Sequence, residues 1–262
     1  MKTLMKMELR QTRKMLLIWL TLVLMLAGFC YFEFLSLKDS LGEMSKLMDA
    51  FPRILLVMFG VKADLSTPVG WYCCLYFWVA ILAFAYALYL GITCVAKEER
   101  WNTSEYLFSK PVKRTQIVHA KVLACAVNLL IYAVFSGLCS FLMIVLSIGG
   151  LERNIDVFFT TLGMYLTQMI LFSIGLFIAA VVKKYRFAVR VGALVMLLAY
   201  GLSIVIQYME ADFWDFLSPL CYFDAYGIIM NGFRLPYLIL TVVVVFILVW
   251  AADKQWRKRE FI

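Results

Sequence analysis

The chain has 262 residues, of which 64% are hydrophobic, and a mean hydropathy of +0.87. A soluble domain carries only about 45–50% apolar residues, so a water-soluble globular fold is excluded. The net charge of +8 would point a soluble protein toward nucleic acid. Here the basic residues fall almost entirely in alternate gaps between apolar runs, which excludes that reading and makes the charge a statement about topology.

Residues 1–14 read as an interfacial helix. Lys2, Lys6, Arg10, Arg13 and Lys14 recur at helical spacing as one cationic stripe, with Met1, Leu4, Met5 and Leu9 opposite. A basic amphipathic helix of this kind lies in the headgroup plane. The first apolar run covers 15–34. The sequence Leu26-Ala27-Gly28-Phe29-Cys30 is faintly like a lipoprotein cleavage site, but Phe29 stands where a small residue is needed and the run is too long for an ordinary signal peptide. It is read as a retained span.

Five further runs follow at 71–96, 122–148, 157–182, 191–208 and 235–252. Each approaches or exceeds the roughly 20 residues that cross a hydrocarbon core as a helix. Helices are required because lipid offers no partners to backbone groups, and nothing in the chain alternates as barrel strands do. All but six of the 25 lysines and arginines lie at the N-terminus, in the second gap, in the fourth gap or in the C-terminal tail. The positive-inside rule then places both termini in the cytosol, as an even number of spans also requires.

The first outer gap, 36–69, is mixed in charge. Leu41, Met44, Leu47, Met48 and Phe51 predict a helix that Pro52 interrupts, followed by a short apolar stretch at 54–59. The gap at 97–121 predicts a short helix held parallel to the membrane on the cytosolic side. Lys97-Glu98-Glu99-Arg100 makes a charged turn, and Asn102 and Glu105 are spaced as a capping box. Tyr106, Leu107 and Phe108 follow, and Pro111 stops the helix. The last outer gap, 209–236, is acidic and aromatic, with Glu210, Asp212, Asp215 and Asp224 against the single Arg234. Pro219 and Gly227 divide it into two short helical pieces, read as an external re-entrant segment.

Seven cysteines at irregular spacing form no C-x-x-C pair, so they read as small apolar packing residues and not as a disulfide framework. The single histidine, His119, lies at a span boundary, too little for a metal site or for an intramembrane protease. The spans contain one charge, Glu33, near an outer end, which argues against an ion-coupled secondary transporter. Asn128 and Gln168 are expected to hydrogen-bond between helices. Gly175-x-x-x-Ala179 permits close helix approach. No G-x-x-x-x-G-K-[ST] phosphate loop is present, so the chain has no nucleotide site of its own.

Two stretches carry a resemblance. Glu98-Glu99-Arg100-x-x-Thr103-x-Glu105-x-Leu107-x-Ser109-Lys110-Pro111-Val112-x-Arg114-x-x-Ile117, then Lys121, resembles the cytosolic loop of ABC-2 type transporter permeases, with Asn102 where a glycine is usual. Leu217-Ser218-Pro219-Leu220-x-Tyr222-Phe223-Asp224 is similar to the family's external segment before the last span. The resemblance implies an all-α membrane protein, a single transmembrane domain over 1–262 with six spans, an N-terminal interfacial helix, a cytosolic coupling helix and an external re-entrant segment. It implies that Glu98, Glu99, Arg100, Asn102, Thr103, Glu105, Phe108, Pro111 and Arg114 contact a separate ATPase. It also implies that Ser218, Pro219, Tyr222, Phe223 and Asp224 form an external gate. The expected partners are a pair of ABC ATPase subunits, which carry the ATP and Mg, and a second copy of the permease or a related chain. No cofactor, metal or nucleic acid is expected on this chain, and a bacterial plasma membrane is implied. In size and layout the chain looks similar to exporters of phenol-soluble-modulin-like peptides. The expected cargo is therefore an amphipathic or hydrophobic peptide of toxin or bacteriocin type, a reading to which methionine- and aromatic-rich spans also lend themselves. The alternative is efflux of hydrophobic drugs or peptide antibiotics.

Overall fold

The computed structural model describes residues 2–37, 50–100, 114–148, 154–182, 184–210 and 212–257, with Ser40, Glu43 and Met48. Among the described residues, six helices are long and apolar enough to cross a membrane. They are α1 (Lys2–Leu37), α3 (Pro68–Arg100), α4 (Arg114–Ile148), α5 (Ile155–Val181), α6 (Tyr185–Tyr208) and α8 (Leu235–Arg257). Two short α-helices, α2 (Arg53–Met58) and α7 (Ala225–Asn231), and a 3-10 helix at Asp212–Leu217 stand between them. The described residues contain no strand.

The helices alternate in direction. Trp19 of α1 meets Tyr86 of α3, and Phe34 meets Trp71, so α1 and α3 are antiparallel. Tyr72 of α3 bonds Thr160 of α5, both near their helix starts, so those two are parallel. One end of the bundle therefore carries residues 2–14, 94–100 and 114–121, and Trp256. The other, far end carries the short helices.

The α3–α5 pair forms the centre. The fraction of each span that is buried is 61% and 67% for these two, against 22%, 17% and 11% for α1, α6 and α8. Their seam is made by two glycines. A Cβ at Gly91 would lie 2.2 Å from the Phe172 carbonyl oxygen, and one at Gly175 would lie 2.3 Å from that of Leu88. Small residues let helix backbones approach closely where lipid gives no hydrophobic drive to associate. The close approach expected at Gly175 thus falls inside the chain, against α3. Around this seam Tyr72, Tyr86, Leu90, Tyr132, Met164 and Phe172 are fully buried.

Local sequence sets the helix ends at the far end of the bundle. The Thr67 hydroxyl accepts the Gly70 amide (3.1 Å) ahead of Pro68 at the first helical position of α3, a favoured start. The Asp64 carboxylate accepts the Ser66 amide (2.9 Å) in the turn before it. Asp224 caps α7 by accepting the Gly227 amide (3.1 Å), and Gly232, at φ +77°, ends that helix.

Three expectations are corrected. No break separates residues 1–14 from the first span: α1 is one helix from Lys2 to Leu37. Neither proline nor glycine occurs before Gly28 to interrupt it. Lys6, Arg10, Arg13 and Lys14 do share an exposed face, but the opposite face packs on α4 as a continuation of the span. Gly227 does not divide the last outer gap; it lies within α7, and the division falls at 218–224 and at Gly232. Glu33 itself is exposed, and the helices bury other charges: Glu8, Lys121, Asp156 and Asp253 are each 6% exposed or less. They fall near helix ends, outside the runs that hydropathy marks.

Candidate functional site

The far end contains a cavity of about 670 Å³ roofed by two chain segments widely separated in sequence. Arg53, Leu56 and Val57 of α2 and Val61 and Lys62 after it form one side. The stretch from Glu210 to Arg234 forms the other, with Ile206 and Gln207 of α6 below. Three ion pairs line it. Arg53 pairs with Glu210, Lys62 with Asp224 (2.8 Å) and Arg234 with Asp215 (2.6 Å). The first two join the 36–69 gap to the 209–236 gap, and the third holds the latter to the start of α8. The Tyr200 hydroxyl donates to the Met58 carbonyl (2.7 Å), fastening α2 to α6.

The pairs differ in exposure. Arg53 and Glu210 side chains are 52% and 73% exposed, Lys62 and Asp224 18% and 28%, Arg234 and Asp215 31% and 11%. Lys62 and Asp224 also line a second, small cavity of about 40 Å³ that reaches down to Phe84 in α3. They form the partition between the open cavity and the interior of the bundle. Glu210 is the only non-glycine residue among those described with a positive φ, +51°. That conformation costs about 1–2 kcal/mol for a residue with a Cβ, and such backbones recur at functional sites.

All five residues of the expected external gate come together beside this cavity. The buried Ser218 hydroxyl donates to the Ala199 carbonyl of α6 (3.1 Å), and Pro219 follows in the turn. The Tyr222 hydroxyl donates to the Phe216 carbonyl (2.6 Å), and its ring stacks on Tyr237 at 4.9 Å. Phe223 stacks on Phe233 at 5.1 Å. It also packs so closely on α5 that a Cβ at Gly163 would lie 2.7 Å from its own Cβ. The Tyr76 hydroxyl reaches the Thr160 carbonyl (3.1 Å) and the Phe223 carbonyl (3.5 Å). This single side chain of α3 therefore touches both α5 and the segment at the mouth. Burial holds the Cys221 thiol up at about 11 and raises the Tyr222 hydroxyl, so both stay neutral and act as packing groups. Phe213, Trp214 and Phe216 stand exposed beside the cavity as an aromatic shelf.

Of the nine expected ATPase-contacting residues, the four that are described lie at the opposite end. Glu98, Glu99 and Arg100 close α3 and Arg114 opens α4. Asn102, Thr103, Glu105, Phe108 and Pro111 lie outside the described residues, as do the side chains of the other four. Next to this stretch is a polar cluster that hydropathy alone missed. Lys121 donates to the Cys94 carbonyl (2.9 Å) and sits 3.9 Å from the Glu8 carboxylate, both charges almost fully buried. Asn128 donates to Thr12 (3.0 Å) and accepts from Tyr86. It ties α1, α3 and α4 together, as expected of an interhelical amide. Gln168 likewise donates to the Ala83 carbonyl (3.4 Å). His119 and Glu33 are exposed.

Six candidate spans, two of them closely packed at the centre, and a polar cavity at one end describe a membrane-spanning helical bundle. Residues 2–252 match the family described as ABC-2 family transporter protein. The chain belongs to that family. It is accordingly a multi-pass membrane permease subunit of an ABC transporter, a class in which the transmembrane subunit is normally non-catalytic and an ABC ATPase partner hydrolyses ATP. Comparison with curated proteins found no match.

Proposed function

We propose that this permease subunit exports amphipathic peptides from the cytosol of a bacterium, with both termini cytosolic and the cavity opening outward. It works with a pair of ATPase subunits and with a second copy of itself or a related permease. The observation that carries the cargo assignment is the lining of the far-end cavity, which sets ion pairs and apolar side chains in one wall beside an exposed aromatic shelf. A purely hydrophobic cargo has no use for the charges, and a purely polar one none for the shelf.

Packing supports a route of force. Closure of the ATPase pair displaces the 97–121 stretch, with Glu98, Glu99, Arg100, Asn102, Thr103, Glu105, Phe108, Pro111 and Arg114 in contact. Lys121 ties the flanking ends of α3 and α4 to each other and to α1, so they move together. The Gly91–Gly175 seam makes α3 and α5 move as one body. Tyr76 then passes that movement to the Phe223 carbonyl, and so to Ser218, Pro219, Tyr222, Phe223 and Asp224 as the outer gate. Charge supplies no alternative drive, since the buried charges Glu8, Lys121, Asp156 and Asp253 all fall near helix ends and not at mid-span.

The test is ATP-driven uptake into inverted vesicles holding the permease and its ATPase. Fluorescent amphipathic peptides should accumulate and a hydrophobic cationic dye should not. Movement of the dye alone would assign the protein to drug efflux, and full pumping with no ATPase present would remove the ABC mechanism.

A further inference from the structure

Every cation lining the far-end cavity faces an anion: Arg53 with Glu210, Lys62 with Asp224, Arg234 with Asp215. The wall is therefore neutral but dipolar. A ligand of one charge sign would take one member of a pair and leave the other without a partner, which is costly. A ligand carrying both signs exchanges partner for partner and leaves nothing orphaned.

The three pairs are not equally open to exchange. Asp224 also holds the start of α7 through the Gly227 amide, and Arg234 lies over the Tyr237 ring at 5.8 Å. Both of these inner pairs are largely shielded from water. The Arg53–Glu210 pair lies at the rim, with more than half of each side chain exposed. Glu210 is held there on a left-handed backbone that a glutamate seldom adopts. Behind the rim, Leu56, Val57, Ile206 and Ile228 offer an apolar floor. The volume, about 670 Å³, lies within the range of roughly 300–1,000 Å³ typical of small-ligand sites.

We infer that this cavity is a binding site for an amphipathic zwitterion. The ligand's anionic group takes the place of Glu210 on Arg53, its cationic group takes the place of Arg53 on Glu210, and its apolar part lies on Leu56, Val57, Ile206 and Ile228. The Lys62–Asp224 pair stays closed beneath it. The inference deepens the export reading, on which its biological sense rests, by narrowing the cargo to segments with neighbouring unlike charges.

The experiment uses the full chain in nanodiscs and three capped, fluorescent, water-soluble hexapeptides of Leu and Phe. One carries adjacent Lys and Glu; in the others one of these is replaced by Gln. The Lys/Glu peptide should bind about tenfold tighter than either analogue, and the preference should weaken with salt. Glu210→Gln should shift selection toward the anionic peptide and Arg53→Gln toward the cationic one. The charge exchange Arg53→Glu with Glu210→Arg should keep the zwitterion preference, and it serves as the folded control. Equal binding of all three peptides, or a preference that survives Arg53→Gln with Glu210→Gln, overturns the site. The same peptides are run in the vesicle assay. Selective binding without ATP-driven transport keeps the site and removes the export reading. Transport without charge selection removes the site and keeps export.

Discussion

The two ends of the bundle use ion pairs in opposite ways. At the end carrying the termini, Glu8 and Lys121 are 4% and 6% exposed and are reinforced by the Cys94 carbonyl. At the far end, Arg53 and Glu210 face each other across an open rim. A buried pair gains little net stability but is expensive to break, because either partner alone is a stranded charge. An exposed pair contributes about 0.2–1 kcal/mol and can be replaced. The first arrangement fixes three helices beside the proposed ATPase contact; the second suits the proposed exchange of partners at the mouth.

The largest effect is expected at the fixed end. Lys121→Met removes the cation beside the buried Glu8 carboxylate and should cost about 3–5 kcal/mol, seen as a collapse of thermal stability in detergent. Adding Glu8→Gln should recover most of it. If Lys121→Met alone is as stable as wild type, the pair is solvated and the contrast between the ends disappears. Next comes the seam that joins the ends. Gly91→Val forces a side chain against the Phe172 backbone and should cost about 1–3 kcal/mol or more. Gly201→Val, whose Cβ meets nothing within 4 Å, should be almost silent. Equal effects at the two positions would mean that α3 and α5 are not locked.

Tyr76→Phe is a smaller and more selective change. It removes only the hydroxyl shared by the Thr160 and Phe223 carbonyls, worth about 0.5–1.5 kcal/mol. Its main effect should be ATP hydrolysis without matching transport, read as a higher ATP-to-cargo ratio. An unchanged ratio would remove Tyr76 from the route between the ends.

The two ends were not equally legible in the sequence. The six spans were plain, because twenty-residue apolar runs have one physical solution in lipid. Asn128 and Gln168 were legible as interhelical bonds for the same reason, since an amide in a span needs a partner. The N-terminal helix was misread because a cationic stripe looks the same on a surface helix and on a packed helix that reaches the headgroups. The distinguishing signal was present on its other face, where Glu8 and Thr12 interrupt the apolar side at the i, i+4 spacing of an interhelical contact. At the far end the 217–224 segment was recognisable by its resemblance, but its partners were not. Arg53 and Glu210 are 157 positions apart, and only the folded bundle brings them together. The one available hint was complementarity, with basic residues at 53 and 62 and an acidic stretch at 209–236.

The smallest expected change separates holding from exchanging most sharply. Glu210 pays for a left-handed backbone, a cost of about 1–2 kcal/mol for a residue with a Cβ, and its exposed pair with Arg53 returns less than that. Asparagine tolerates the same backbone far better. Glu210→Asn should therefore leave stability unchanged or raise it by up to about 1 kcal/mol, measured as the unfolding midpoint in detergent, while abolishing the preference for zwitterionic peptides. A residue kept at a loss to the fold and needed for binding is what an exchangeable rim requires. If Glu210→Asn instead lowers stability by more than about 1 kcal/mol, the Arg53–Glu210 pair is a fastening of the same kind as Glu8–Lys121. The mouth would then be as fixed as the opposite end, and cargo would have to leave by another route.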